Sequence, residues 1–383
     1  MNKGTIVILI DALGFTIAEE HGFHPSSLPS KARLKTVFGF SLAALASIIT
    51  GLMPEKHGLW LMYSFARKSS PFTWLALMPR SVSARRLWLR RLIRWNLACV
   101  SRVRGYYSLY DVPREVLPHL DLPARGNIFM PRGAGTVPTI FDDLDGNTVP
   151  HMVWDYRTPE ARAFDELEEA VRGERASFYF LYTAGLDSDM HRYGTKAPRV
   201  KEHIAWYRDR IDRVAGAARG AADAGLVVLG DHGMCDVTSH IDIMKQVEAL
   251  GLQIPRDYVP FFDSTMARFK INSTRARAAL EKLLSGQPSG RLMGGVDLKG
   301  LGVAFPDGRF GDLIFLADPG VIILPSYMGS EPVAAMHGYH PDTEGMYSVM
   351  LSNRGLPARE LSLCDVAGIV LPGFKPGHGG EAP

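Results

Sequence analysis

Cysteine is scarce in this chain, and no sign of charge dominates it. Three cysteines, Cys99, Cys235 and Cys364, are spread over 383 residues with no CxxC pair. That spacing excludes a disulfide framework and fits a reducing compartment. Forty-three Lys and Arg against 40 Asp and Glu leave a net charge of +3. No global polyanion partner is implied, and nucleic acid is not expected. Long hydrophobic runs are missing too. The first one, residues 5–10, ends at Asp11, short of a signal peptide's apolar region. The uncharged stretch 37–54 is diluted by Gly39, Ser41, Ser47, Thr50 and Gly51. It falls short of the roughly 20 apolar residues of a membrane span. A cytoplasmic location is therefore expected. There are no repeats or low-complexity tracts. What remains is an ordinary globular composition, 46% hydrophobic and 22% charged, long enough to bury a large core.

Four short apolar runs read as core strands: residues 5–10, 177–183, 226–229 and 347–351. Continuous rather than alternating apolar residues indicate strands covered on both faces. Between the second and third runs, Ile204, Tyr207, Ile211, Val214 and Ala218 recur at helical spacing. Strand, helix, strand makes a βαβ unit and a parallel sheet. A second helix is expected over residues 42–50, with Ser41 as its N-cap and Gly51 just past its end. The fold class expected is α/β: a three-layer sandwich around a mostly parallel, doubly wound sheet, with cap insertions. Residues 1–60, 133–254 and 326–383 form the expected core. Residues 61–132 are an Arg- and Trp-rich insertion, and residues 255–325 a small α+β cap.

Each expected strand ends in a metal-ligand type. Asp11 follows the first. "LYTAGLDSDMH" carries Asp187 and His191 after the second. Asp231 and His232 follow the third, and His337 precedes the fourth. Any one of these is ordinary: a lone Asp after a strand is a common turn residue, and Asp187 with His191 could be a surface pair. Four such clusters in equivalent positions point to convergence, because open α/β sheets place their sites at the carboxyl ends of strands. Three Asp and three His are enough for two divalent ions once a nucleophile or water is added. Hard and borderline donors without thiolate suit Zn²⁺, with Mn²⁺ as the alternative. Ser41 either caps its helix or uses the same position as a nucleophile. A helix N-terminus favours an anion, and a nearby metal would lower the hydroxyl pKa.

"VILIDALGF", "FSLAALASIITGLMPEKHG", "LDSDMHRYG", "LGDHGM" and "MHGYHPD" occur in this order. The ordered set resembles the alkaline phosphatase superfamily, in its type I phosphodiesterase/nucleotide pyrophosphatase branch. The resemblance implies one metal on Asp187, His191 and His337, and another on Asp11, Asp231 and His232. It implies Ser41, also a metal ligand, as the attacking group, giving a phosphoseryl intermediate that water hydrolyses. Two departures are visible. "LAAL" follows Ser41 where that branch carries Phe-Pro-Asn-His, and Met62 stands where it carries an Asn. The implied function is hydrolysis of a phosphodiester or pyrophosphate in a small anionic substrate. The alternatives are a phosphomonoesterase, or a phosphotransferase or mutase passing the phosphoryl group to a non-water acceptor.

Residues 81–107 contain seven Arg and no acid. Arg86, Arg90 and Arg94 share one helical stripe. It is a solvated face, a clamp for an anionic substrate, or a helix that meets an anionic lipid surface. The oligomeric state is left open.

Overall fold

The computed structural model describes residues 4–67, 69–77, 87–218 and 224–377. Seven strands form the central sheet: β1 (Thr5–Ile10), β2 (Ser30–Lys35), β3 (His151–Trp154), β4 (Phe178–Thr183), β5 (Gly225–Leu229), β6 (Ser348–Ser352) and β7 (Glu360–Ser362). Their spatial order is β7-β2-β6-β5-β1-β4-β3. β1 pairs in parallel with β4 on one side and β5 on the other, and β3 extends the parallel set. β6 is antiparallel to both β5 and β2, while β7 is parallel to β2. A single strand therefore runs against the other six.

The β1 sequence explains its central place. Val7 and Leu9 enter one hydrophobic core, and Ile6, Ile8 and Ile10 enter the other. Both faces are dry, so Ile6 to Ile10 are all apolar. Burying each such side chain contributes about 1.5–3 kcal/mol. Helix α1 (Ser41–Thr50) covers the first face. Helices α3 (Glu160–Arg172) and α5 (Pro198–Ala218) cover the second, through Phe164, Leu167, Ile204, Tyr207 and Ile211. The sandwich has the three layers expected. Helix α2 (Leu87–Cys99) lies outside it, and helix α4 (Gly185–Tyr193) follows β4 directly.

β2, β3 and β7 are not apparent as apolar runs. β2 alternates, with Ala32 and Leu34 buried between partly exposed Lys31, Arg33 and Lys35. β3 lies at the sheet edge, and β7 is three residues long.

A second, four-stranded antiparallel sheet holds Tyr258–Phe262, Met266–Ile271, Leu313–Ala317 and Gly290–Leu292. Its core is shared with Tyr63, Phe72, Leu89, Ile93 and Leu97. No helix among the described residues is long and apolar enough to cross a membrane.

Candidate active site

The carboxyl ends of β1, β4 and β5 meet at one point, and the ligand-type residues meet with them. Asp11 follows β1, Asp187 and His191 lie on α4, and Asp231 and His232 follow β5. His337 arrives on a short strand, Ala335–Met336, paired with Cys235–Asp236. The glycines flanking Asp231 and His232 answer to close packing. A Cβ on Gly230 would lie 2.3 Å from the Leu13 carbonyl oxygen, and one on Gly233 2.0 Å from that of Gly345. Ala12, next to Asp11, is held at φ +62. That conformation costs about 1–2 kcal/mol for a residue with a Cβ. Its N–H donates to Asp231 Oδ1 at 3.0 Å, which joins the two strand ends.

The donor distances form a pattern. His191 Nε2 lies 3.3 Å from Asp187 Oδ1, and His337 Nε2 3.6 Å from the same oxygen. His232 Nε2 lies 3.3 Å from Asp11 Oδ1 and 3.4 Å from Asp231 Oδ2. Donors about 2.0–2.2 Å from one tetrahedral ion stand about 3.3–3.6 Å from one another. Asp11 Oδ1, Asp187 Oδ1, Asp231 Oδ2 and His337 Nδ1 are buried without a hydrogen-bond partner. Buried polar atoms are nearly always paired, so this cluster fits cations. Two triads can be drawn: Asp187, His191 and His337, and Asp11, Asp187 and His232. Asp187 lies between the two sets, and Asp231 adjoins the second through His232.

The imidazoles are oriented by their other nitrogens. His191 Nδ1 donates to the Ala335 carbonyl at 2.8 Å, and His232 Nδ1 to the Gly233 carbonyl at 2.9 Å. Each Nε2 therefore keeps its lone pair free toward the carboxylates. The electrostatics agree. Burial, then the Asp231 and Asp187 charges, raises Asp11 well above the usual carboxylate range. Burial pushes Asp231 up to about 7. Burial and the neighbouring His232 and His191 hold His337 far below its ordinary value. Burial depresses His191, but its contacts with Asp187 outweigh this and leave it raised.

Ser41 is the first residue of α1 and not its N-cap; Phe40 has the cap position and makes no side-chain cap bond. The expectation of a capping serine is corrected by where the hydroxyl points. Ser41 Oγ lies 3.1 Å from His232 Nε2. Gly51 ends the helix in the left-handed conformation, as its position predicts.

A cavity of 370 Å³ opens over these groups, with Asp11, Ser41, Asp187, His191 and His337 in its floor. Its walls include Phe40, Tyr106, Tyr110, Phe129, Tyr156 and Met62, and among the described residues no Lys or Arg lines it. Arg90 donates to Asp111 at 3.1 Å and to the Leu109 carbonyl, and Arg94 is exposed. Neither lines the cavity. Arg86 lies outside the described residues. A larger cavity of 560 Å³ is lined by Arg67, Arg125 and Arg309 but by none of the six ligand-type residues. Its guanidiniums are engaged by Asp307 and Asp121.

Several residues here went unread in the sequence. The Tyr182 hydroxyl donates to Asp11 Oδ2. Its position near the end of β4 was the one available signal. Glu160, on α3, accepts from the Gly185 N–H at 3.0 Å and from the Tyr207 hydroxyl, and it meets His203 Nε2 at 3.2 Å. His203 in turn reaches Asp189 Oδ2 at 2.8 Å. This network fixes the start of α4. Asp263 lies in the cavity wall, buried and paired with Arg268 at 3.0 Å. No local pattern marks Glu160 or Asp263.

The sequence model of the type I phosphodiesterase / nucleotide pyrophosphatase family matches residues 5–340. No curated protein sequence matches the chain. Among solved structures, murine ectonucleotide pyrophosphatase/phosphodiesterase 5 superposes with a TM-score of 0.68 at 14% identity, covering 96% of this chain and 94% of that one. The human counterpart gives 0.67 at 14% identity, with coverages of 96% and 93%. An inactive variant of the murine protein in complex with AMP gives 0.68, again at 14% identity with 96% and 94% covered. The chain belongs to the type I phosphodiesterase/nucleotide pyrophosphatase family of the alkaline phosphatase superfamily, whose enzymes hydrolyse phosphodiester and pyrophosphate bonds.

Proposed function

We propose that this chain is a metal-dependent phosphodiesterase acting through a covalent ester on Ser41. The observation that carries the reading is the Ser41 hydroxyl, turned from helix capping to within 3.1 Å of His232 Nε2 beside the unpaired carboxylate oxygens. One cation would be held by Asp187, His191 and His337, the other by Asp11, Asp231, His232 and Ser41. Bound Zn²⁺, with Mn²⁺ as the alternative, would lower the pKa of the serine hydroxyl and of water and offset charge at phosphorus. Ser41 Oγ gives up its proton to solvent and bonds to phosphorus as the P–O bond to the leaving group breaks, the leaving oxygen departing with the electron pair. The phosphoseryl ester keeps the retained group until water hydrolyses it. Ser41 Oγ and His232 Nε2 stand 3.1 Å apart, about the separation of two donors to one cation, and Tyr182 holds Asp11 through its second oxygen.

The cavity favours a diester over a monoester. A dianionic monoester calls for added cations, and among the described residues the wall offers aromatic rings with no Lys or Arg. A monoanionic diester brings an organic group that those rings can contact. The AMP held by the murine relative's inactive variant fits a nucleoside as that group. The three cysteines are free thiols, which supports a reducing, cytoplasmic setting. The test is hydrolysis of an aryl phosphodiester and of the matching monoester by metal-loaded protein. The diester should be cut faster. Preference for the monoester moves the chain to the phosphomonoesterase reading, and turnover that depends on an added alcohol moves it to phosphoryl transfer.

A further inference from the structure

Helix α2 carries two apolar stripes. Leu89, Ile93 and Leu97 are buried in the core shared with the antiparallel sheet. Trp88, Leu92 and Trp95 are 48%, 38% and 58% exposed, and Val100, just past the helix, is 62% exposed. Spacings of four and three place 88, 92 and 95 on one face, about 130° around the helix from the buried stripe. A helix on a globular protein needs one apolar face, and this one presents a second to water. Arg91 and Arg94 accompany it on the helix, and Arg102 and Arg104 follow; all four are exposed. Arg90 turns inward to pair with Asp111. Among the described residues the other four form no ion pair. The acid-free stretch 81–107 supplies no local counter-charge.

We propose that the outer face of α2 docks peripherally on an anionic lipid bilayer. Trp88, Leu92 and Trp95 enter the headgroup boundary, where an indole keeps its ring apolar and its N–H wet. Arg91 and Arg94 meet lipid phosphates. Charge decides among occupants. A second copy would bring the same arginines against one another, which opposes self-pairing. Nucleic acid would leave Leu92 without use. One amphipathic helix gives reversible attachment rather than anchoring. Tyr106, in the wall of the cavity, follows Cys99 by seven residues. That chain length keeps the cavity within about 25 Å of the docked helix. Docking would favour phosphodiesters presented at a membrane surface.

The test is sedimentation of the full chain with phosphatidylcholine vesicles containing phosphatidylglycerol, beside pure phosphatidylcholine vesicles. The chain should pellet with the anionic vesicles only, and rising salt should release it. Arg91→Glu should weaken partitioning about fivefold or more, from about 1 kcal/mol per basic residue near such a surface. The double substitution Trp88→Ser, Trp95→Ser should abolish it. Both variants should keep wild-type hydrolysis of a soluble aryl phosphodiester, which reports intact folding. No wild-type binding, or equal binding to neutral vesicles, overturns the proposal. So does a wild-type dimer that the double tryptophan variant turns into a monomer, since a second copy would then cover the face.

Discussion

At the scale of single residues, the site is built from groups that are costly in isolation. Ser41 gives up helix capping, Ala12 takes a left-handed backbone, and three carboxylate oxygens are buried unpaired. Ser41→Ala should lower turnover on the order of 10³-fold or more while the protein keeps its metal, because the six other ligand-type residues stay. Rate and metal content measured on one preparation check this; a variant with near-normal rates would mean that water attacks directly. Asp231 gives a pH prediction for metal-free protein. Its folded pKa is raised to about 7 by burial. A raised acid contributes stability that is fully present below the unfolded value near 3.8 and lost as pH rises through the folded one. Chelated protein should therefore lose on the order of 1.4 kcal/mol per pH unit from this group between those limits. Asp231→Asn should make the loss shallower. Denaturant titrations across that range decide, and an unchanged slope would show that Asp231 is not the strained group.

At the scale of elements, each ligand owes its place to the end of a strand or to α4, the helix that follows β4 directly. α4 is the instructive case. Its first N–H is held by Glu160 from α3, and a Cβ on Gly185 would meet that carboxylate at 2.2 Å. Glu160→Ala should weaken metal binding at Asp187 and His191 by about 10–100-fold, the usual effect of losing a supporting partner. A competition titration with a chromophoric chelator measures it, and unchanged affinity would remove Glu160 from the supporting network. The same comparison shows what was legible beforehand. β1, β4, β5 and β6 stand out because burial on both faces keeps their central residues apolar. β2 hides because only Ala32 and Leu34 face a core. Asp11, Asp187, Asp231, His191, His232 and His337 were readable because strand ends repeat one chemistry. Glu160 and Asp263 were not, since each reaches the site across more than 20 residues and only folding brings it there. Ser41 lies beside the ligand-type residues, but Phe40 takes the cap position, and the Ser41 hydroxyl meets His232, a partner 191 residues away.

At the scale of the whole molecule, a sheet buried on both faces fixes three strand ends in register, and the outer segments wall the space above them with Tyr106, Tyr110 and Asp263. The fold persists at 14% identity over 96% of the chain. On the proposed reading, the wall sets what enters: aromatic rings over a floor that would hold cations. The central claim is that hydrolysis proceeds by two displacements at phosphorus, the first by Ser41 and the second by water. The stereochemical course tests this most directly. A P-chiral phosphorothioate diester is hydrolysed by metal-loaded wild-type protein in heavy-oxygen water, and the product's configuration is read. Two in-line displacements predict net retention; inversion would mean a single attack by water and would contradict the account.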